Sequence, residues 1–302
     1  MIALLAPGQG SQTPGMLGPW LELPGTADRI AIWSKAAGLD LGRLGTTATA
    51  EEITDTAVTQ PLVVASALLA FEELERRGEV PADLVAAGHS VGELAAAAIA
   101  GVISADDAVA LAALRGAEMA KACALEPTGM SAVLGGDEDA VLARLAELDL
   151  EPANRNAAGQ IVAAGLLSKL EELAANPPEK ARVRALPVAG AFHTAFMGPA
   201  QDAVTEAASR IVPQDPTRTL LSNAEGQPVT SGADALAKLA AQVTRPVRWD
   251  LCTRYLRDAG VSAVVELPPA GTLVGIAKRE MKGTPTLALK TPADLDGIAQ
   301  LG

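Results

Sequence analysis

Short apolar runs alternate along this chain with stretches of helical period. Residues 2–6, Ile2-Ala3-Leu4-Leu5-Ala6, are continuously apolar and end at Pro7-Gly8, the pattern of a strand buried on both faces. Residues 61–77 repeat apolar side chains at three- and four-residue spacing and predict an amphipathic helix. Leu84-Val85-Ala86-Ala87 predicts a second buried strand, and after a glycine-bounded turn the run Glu93-Leu94-Ala95-Ala96-Ala97-Ala98 predicts a helix. Ser104, with Asp107 three residues on, is a helix start signal. Residues 106–122 follow with helical period and set Ala108, Leu111, Ala112, Arg115, Met119 and Ala122 on one stripe. Such alternation of strands and helices predicts an α/β protein with a mainly parallel sheet.

A different rhythm begins at Gly129. Strand 130–134, helix 138–148, strands near 151–154 and 160–164, helix 166–175 and strand 182–188 read as βαββαβ, which fits a small ferredoxin-like subdomain. The expected division is a large domain from residues 1–125 and 190–302, with the small subdomain over residues 126–189 inserted in it. Ligand sites favour the cleft between two such lobes.

Composition fits an enzyme of this build. The 302 residues are 49% hydrophobic and 20% charged, enough for a sizeable core, and with 2% aromatics that core must rest on Ala, Val and Leu. A net charge of −12 argues against nucleic acid as a partner. The two cysteines, Cys123 and Cys252, form no disulfide framework and no metal-ligand spacing, so no metal is expected and a reducing cytoplasm suits the chain. The start of the chain has no basic region before an apolar stretch, and no uninterrupted apolar run approaches the roughly 18 residues of a membrane span. A soluble, cytoplasmic protein is the expectation, with no membrane partner.

The candidate chemistry centres on Gly88-His89-Ser90-Val91-Gly92. Glycines on either side of a serine permit a strained strand-to-helix turn that exposes its hydroxyl, so Ser90 is the candidate nucleophile, although a serine at such a junction also serves as a plain helix cap. Of the two histidines, His89 would point away from the hydroxyl and line the pocket or brace the loop, leaving His193 in Gly190-Ala191-Phe192-His193-Thr194 as the candidate base. The loop Pro7-Gly8-Gln9-Gly10-Ser11-Gln12 lacks the third glycine of a dinucleotide fingerprint, since Thr13 stands there. Read as part of an oxyanion hole, it offers the Gln9 backbone N–H beside that of Val91; read otherwise, it is an ordinary glycine-rich turn. Arg115 is out of place on an apolar stripe and must meet an anion there, either a protein carboxylate or the carboxylate of a substrate.

Together these residues resemble the malonyl-CoA:acyl carrier protein transacylase family. The resemblance is carried by Pro7-Gly8-Gln9-Gly10-Ser11-Gln12, Gln60-Pro61, Gly88-His89-Ser90-Val91-Gly92-Glu93-Leu94, Arg115-Gly116, Asn154 with Asn156, Gly190-Ala191-Phe192-His193, Ser222-Asn223 and Pro246-Val247-Arg248-Trp249, in family order over nearly the whole chain. It implies an α/β-hydrolase-like large domain and a Ser-His dyad in which Ser90 is acylated and His193 is the base. It also implies that Gln9 and Val91 hold the oxyanion and that Arg115 clamps the free malonyl carboxylate. Gln60, His89, Met119, Asn154, Asn156 and Phe192 are implied to line the substrate and coenzyme pocket. The substrates implied are malonyl-CoA, a coenzyme A thioester that is not held permanently, and an acyl carrier protein of fatty-acid or polyketide synthesis. The enzyme is expected to act as a monomer.

Some relatives carry glutamine between the equivalents of Val247 and Trp249, and its backbone carbonyl holds the histidine; Arg248 stands there in this chain, and a carbonyl survives that change. Leu267-Pro268-Pro269-Ala270-Gly271 also departs from the family's usual glycine-proline-glycine and leaves the local loop shape open. A serine carboxylesterase or thioesterase, an acyltransferase for another coenzyme A thioester, and a carrier-binding module without activity are the alternatives. Carrier proteins being acidic, a chain at −12 needs a local basic patch to meet one. Lys278 and Arg279 are the expected docking pair, ahead of Arg182, Arg184, Arg245 and Arg248.

Overall fold

The computed structural model describes residues 1–301. Its first sheet is built from β1 (Ile2–Ala6), β2 (Leu84–Gly88), β7 (Thr219–Leu221), β8 (Pro228–Val229), β9 (Ala263–Glu266) and β10 (Thr286–Ala288), in the order β10-β9-β1-β2-β7-β8. All neighbours in it are parallel except β7 and β8. The second sheet is antiparallel throughout and is formed by β3 (Thr128–Gly135), β4 (Glu151–Ala157), β5 (Gln160–Leu166) and β6 (Ala181–Ala185), in the order β4-β5-β3-β6.

The apolar run of β1 follows from its central place. Ile2, Leu4 and Ala6 pack into one core with Leu84 and Ala86 of β2, whereas Ala3 and Leu5 pack into another with Val85 and Ala87. Alternate side chains therefore bury on opposite faces, and a strand covered on both sides has no polar position. On one face lies the helix Thr56–Arg77, long and apolar enough to cross a bilayer by length and composition, with 83% of its apolar window buried inside the protein. That burial is what a core helix requires.

The second sheet is also two-faced. Val133 and Ile161 pack under the helices Glu138–Glu147 and Leu167–Ala175, together with Val141, Leu145, Leu170 and Leu173. Met130, Val162 and Ala164 on the opposite face join the main core. The sheet is thus seated on the first body rather than hanging from it.

Several expected boundaries differ, two of them with a clear local cause. The helix expected from residue 61 begins at Thr56, because Asp55 caps it by accepting from the Ala57 N–H at 2.8 Å and Pro61 sits inside. The strand expected over residues 182–188 ends at Ala185, just before Pro187 removes a ladder donor.

Glycine governs the junction from β2 into the helix Gly92–Ile99. A Cβ on Gly88 would lie 2.1 Å from the Gly92 carbonyl carbon, and one on Gly92 would lie 2.3 Å from the Ala6 oxygen. Both neighbours are backbone and cannot yield. Gly88→Ala is accordingly expected to cost on the order of 3 kcal/mol or more, read as a lower thermal unfolding midpoint. An unchanged midpoint would mean that the strand end and the helix start can separate without loss.

Candidate active site

Ser90 occupies the turn between β2 and the helix Gly92–Ile99 with φ 53, a left-handed conformation that is strained for a residue with a side chain. The turn is tied from below and from the side: the His89 N–H donates to the Ala6 carbonyl at 3.0 Å, and the Ser90 N–H donates to Asn223 Oδ1 at 2.8 Å. Its hydroxyl is left facing His193, with Oγ 2.8 Å from Nε2.

His193 lies in a strap that is itself strained, with φ 62. Thr194 Oγ1 donates to the Ala191 carbonyl at 2.7 Å, and the Ala191 N–H donates to Thr128 Oγ1 at 3.1 Å, anchoring the strap to β3. Nδ1 lies 2.8 Å from the Gln242 carbonyl. A carbonyl only accepts, so Nδ1 carries the proton and Nε2 presents its lone pair to the Ser90 hydroxyl. Burial first, and the Arg115 charge second, push His193 down to about 3, which keeps the imidazole neutral.

The orienting carbonyl is therefore that of Gln242, not that of Arg248. The Arg248 carbonyl is consumed in the first turn of the helix Trp249–Asp258, where it accepts from the Leu251 and Cys252 N–H groups at 3.1 and 3.3 Å. The Arg248 guanidinium pairs with Asp250 at 2.7 Å.

Arg115 comes from the predicted stripe of the helix Ala105–Cys123 and is only 2% exposed. Nη1 donates to Gln60 Oε1 at 2.6 Å, and Nη2 donates to Gln242 Oε1 at 3.1 Å and reaches toward Ser90 Oγ at 3.4 Å. All three partners are neutral. Burial pulls the guanidinium down to about 10 and the Glu93 charge opposes it, so it stays charged at neutral pH. The side chain required an anion, and among the described residues the carboxylate acting on it is that of Glu93, behind Gln242.

That carboxylate, Glu93, is the functional-site residue that sequence reasoning did not single out. It is 3% exposed, accepts from the Asn223 N–H at 3.0 Å through Oε1 and from Gln242 Nε2 through Oε2, and burial raises it to about 7. Its signal was a charge inside an alanine-rich helix start, the same kind of misplacement that drew attention to Arg115. Gln242 left no such signal.

One pocket collects the remaining expected residues. Gln9, Val91, Gln60, Met119, Asn154, Asn156 and Phe192 line it with Ser90, His193 and Arg115. The backbone N–H groups of Gln9 and Val91 meet no acceptor among the described residues. His89 also lines it and braces it: Nε2 donates to Asn156 Oδ1 at 2.8 Å, and the ring meets Trp249 edge-on at 5.5 Å. Lys278 and Arg279 are exposed in the last turn of the helix Thr272–Glu280, whose Thr272, Leu273 and Ile276 line the same pocket. Arg279 Nη2 donates to Gln160 Oε1 at 2.6 Å, and Gln160 is a further lining residue. The pair therefore stands close to the pocket's rim.

The chain's likeness to known proteins runs along its whole length. The acyl transferase domain family matches residues 4–292. Malonyl CoA-acyl carrier protein transacylase of Mycobacterium tuberculosis is 70% identical over 302 residues, covering 100% of both chains. The Escherichia coli protein of the same name is 33% identical over 309 residues and 99% of each chain. Among solved structures, MCAT from Mycobacterium tuberculosis has a TM-score of 0.97 at 70% identity and 99% coverage of each chain. A malonyl-transacylase solved in complex with its type II PKS acyl-carrier protein has a TM-score of 0.92 at 28% identity, covering 100% of this chain and 99% of that one. A serine elbow, a neutral imidazole and a buried guanidinium meeting in one pocket agree with these likenesses, and the chain belongs to the malonyl CoA-acyl carrier protein transacylases of the acyl transferase domain family.

Proposed function

We propose that this chain transfers a malonyl group from malonyl-CoA to the pantetheine thiol of an acyl carrier protein through a malonyl-Ser90 ester. The observation that carries this reading is the place of Arg115: buried, held by neutral oxygens alone, and with Nη2 3.4 Å from Ser90 Oγ. A guanidinium so placed can take the two oxygens of a second carboxylate while the thioester carbonyl sits at Ser90. An esterase for neutral acyl groups would have no use for that charge.

In the first half-reaction His193 Nε2 accepts the Ser90 proton as Oγ bonds to the thioester carbonyl carbon. The carbonyl oxygen gathers the displaced electron pair and is received by the Gln9 and Val91 N–H groups. The C–S bond then breaks, coenzyme A leaves with the proton from His193, and the ester remains. In the second half His193 takes the proton of the carrier's thiol, sulfur bonds to the ester carbonyl carbon, the C–Oγ bond breaks, and Ser90 Oγ recovers the proton from His193. His193 and Ser90 act as a dyad, with the Gln242 carbonyl in the place a carboxylate holds in a triad. Asn154 and Asn156 lie on the coenzyme side, and Lys278 and Arg279 receive the carrier. The lobes carrying these parts correspond to an α/β-hydrolase-like domain of residues 1–125 and 190–302 and a ferredoxin-like subdomain of residues 126–189. The strand order β4-β5-β3-β6 supports the second description. A cytoplasmic location fits the two free cysteines.

Intact-protein mass after brief incubation with malonyl-CoA tests the central claim. Ser90→Ala is expected to abolish the added malonyl group, and His193→Ala to slow its addition by about 10²–10⁴-fold. Arg115→Ala should lose malonyl transfer far more than acetyl transfer. Malonylation at the parent level in Ser90→Ala, or equal losses for both acyl groups in Arg115→Ala, would sink the proposal.

Acetyl-CoA has no second carboxylate to engage Arg115, and in the Glu93→Gln variant, which lacks the carboxyl that burial raises to about 7, this isolates the imidazole. Since the neutral form is the base, a His193 held down at about 3 stays active as pH falls, and kcat/KM for acetylation is expected to stay level from pH 7 to pH 5. An imidazole at its ordinary 6.5 would lose about 25-fold over that range. A decline centred near 6.5 would mean that the burial of His193 does not set its proton affinity.

For the carrier, reversing Lys278 and Arg279 to Glu is expected to raise the KM for acyl carrier protein several-fold while leaving Ser90 malonylation by malonyl-CoA nearly unchanged. The parent's own KM should rise with salt. Equal damage to both half-reactions, or to neither, would move the docking patch elsewhere.

A further inference from the structure

Gln242 serves two parts of the site at once. Its backbone carbonyl holds His193 Nδ1 at 2.8 Å, and its side-chain Oε1 accepts from Arg115 Nη2 at 3.1 Å. The other end of the amide, Nε2, donates to Glu93 Oε2 and to Asn223 Oδ1, the latter at 3.1 Å. Arg115 offers only donors and an ionised carboxylate only acceptors, so an amide between them has one orientation that satisfies both. Turned over, it would set its NH2 group against the guanidinium and its oxygen against the carboxylate.

Asn223 adds to the same constraint, and Glu93 holds it as well. Asn223 Nδ2 donates to the Gly88 carbonyl at 2.8 Å, which turns Oδ1 toward Gln242 and the Ser90 N–H. The Asn223 backbone N–H in turn donates to Glu93 Oε1 at 3.0 Å. One buried carboxylate therefore stands behind both amides that face the reacting groups, without touching the pocket itself, whose lining does not include it.

We infer that Glu93 is a positioning residue for malonyl selection: it locks the Gln242 amide with Oε1 toward Arg115 and so fixes the guanidinium where a substrate carboxylate beside Ser90 is received. This rests on the malonyl-transfer reading above. Every hydrogen bond made to Glu93 is a donated one, which fits its ionised form, the form that prevails above the pH of about 7 to which burial raises it. A satisfied network of this kind specifies one geometry, whereas a half-satisfied one does not.

The test is the ratio of single-turnover acylation rates with malonyl-CoA and acetyl-CoA, read by intact mass on the full chain. A ratio does not depend on the fraction of protein folded, so a loss of stability alone leaves it in place. Glu93→Gln keeps the size, removes the charge and turns an NH2 group toward one of two existing donors. The malonyl-to-acetyl ratio is expected to fall about 10- to 100-fold, the scale of one charge-assisted hydrogen bond. Gln242→Ala retains the backbone carbonyl for His193 and should lower the ratio by a similar factor. In that background, Glu93→Gln should lower it no further, because the two act in series. A ratio unmoved by Gln242→Ala overturns the inference even if Glu93→Gln fails to fold. So does a Glu93→Gln effect of equal size with and without the Gln242 side chain. A parent ratio near one would overturn the malonyl-transfer reading itself, whereas a high parent ratio that neither variant moves overturns the positioning role alone.

Discussion

A guanidinium buried to 2% exposure is the constraint around which the pocket is arranged. Removing such a charge from water costs several kcal/mol even after the protein relaxes, and an unpaired one is seldom kept. Here three neutral oxygens, of Gln60, Gln242 and Ser90, surround the group, and the carboxylate of Glu93 lies beyond an amide. Held down to about 10, Arg115 is still protonated on the order of a thousand to one at pH 7. The free enzyme therefore carries a positive charge that the side chains in contact with it solvate but do not pair. Under the proposed function, an incoming carboxylate gains that pairing and a neutral acyl group does not.

The same charge reaches the base. Burial is the larger cause of the low proton affinity of His193 and the Arg115 field the second. On the proposed reading, a substrate carboxylate paired with Arg115 would largely cancel that field beside the imidazole and make it more basic at the moment a proton must be taken from Ser90. The proposed selection of a second carboxylate and the activation of the nucleophile would then be two consequences of one charge. The Gln242 residue, with its carbonyl on His193 and its amide on Arg115, keeps the two groups at a fixed separation.

What the sequence made legible was whatever a residue type declares by itself. Ser90 between glycines, His193 as one of two histidines and Arg115 on an apolar stripe each announce a chemistry, and the structure brings all three to one pocket. Strands β1 and β2 were legible because burial on both faces leaves no polar residue in them. Backbone partners were not legible. The Gln242 carbonyl belongs to a short turn, Gln242–Thr244, with no periodic pattern, and nothing in a sequence says which way a carbonyl points. Assigning that task to Arg248 failed for a related reason, since the residue opening a helix spends its carbonyl on the first turn. The start of the helix Thr56–Arg77 was missed because Pro61 looks like a first-turn residue, whereas the capping side chain was Asp55.

The Pro246-Val247-Arg248-Trp249 stretch then needs another reason to be where it is, and its hydrogen bonds supply one. The Val247 N–H donates to the Ala153 carbonyl and its own carbonyl accepts from the Arg155 N–H, both at 2.9 Å, so that Val247 pairs with the edge of β4 as a parallel bridge. The Arg248 N–H donates to the Asn223 carbonyl at 2.8 Å, and Trp249 meets the edge of His89, whose Nε2 crosses to Asn156 on the same strand. Three consecutive residues thus fasten the second sheet, the Asn223 loop and the serine elbow to one another. Since β4 carries Asn154 and Asn156 into the pocket wall, this seam fixes the wall's distance from Ser90. The stretch acts on the site by setting the spacing of its two sheets, and the histidine is oriented separately, by the Gln242 carbonyl.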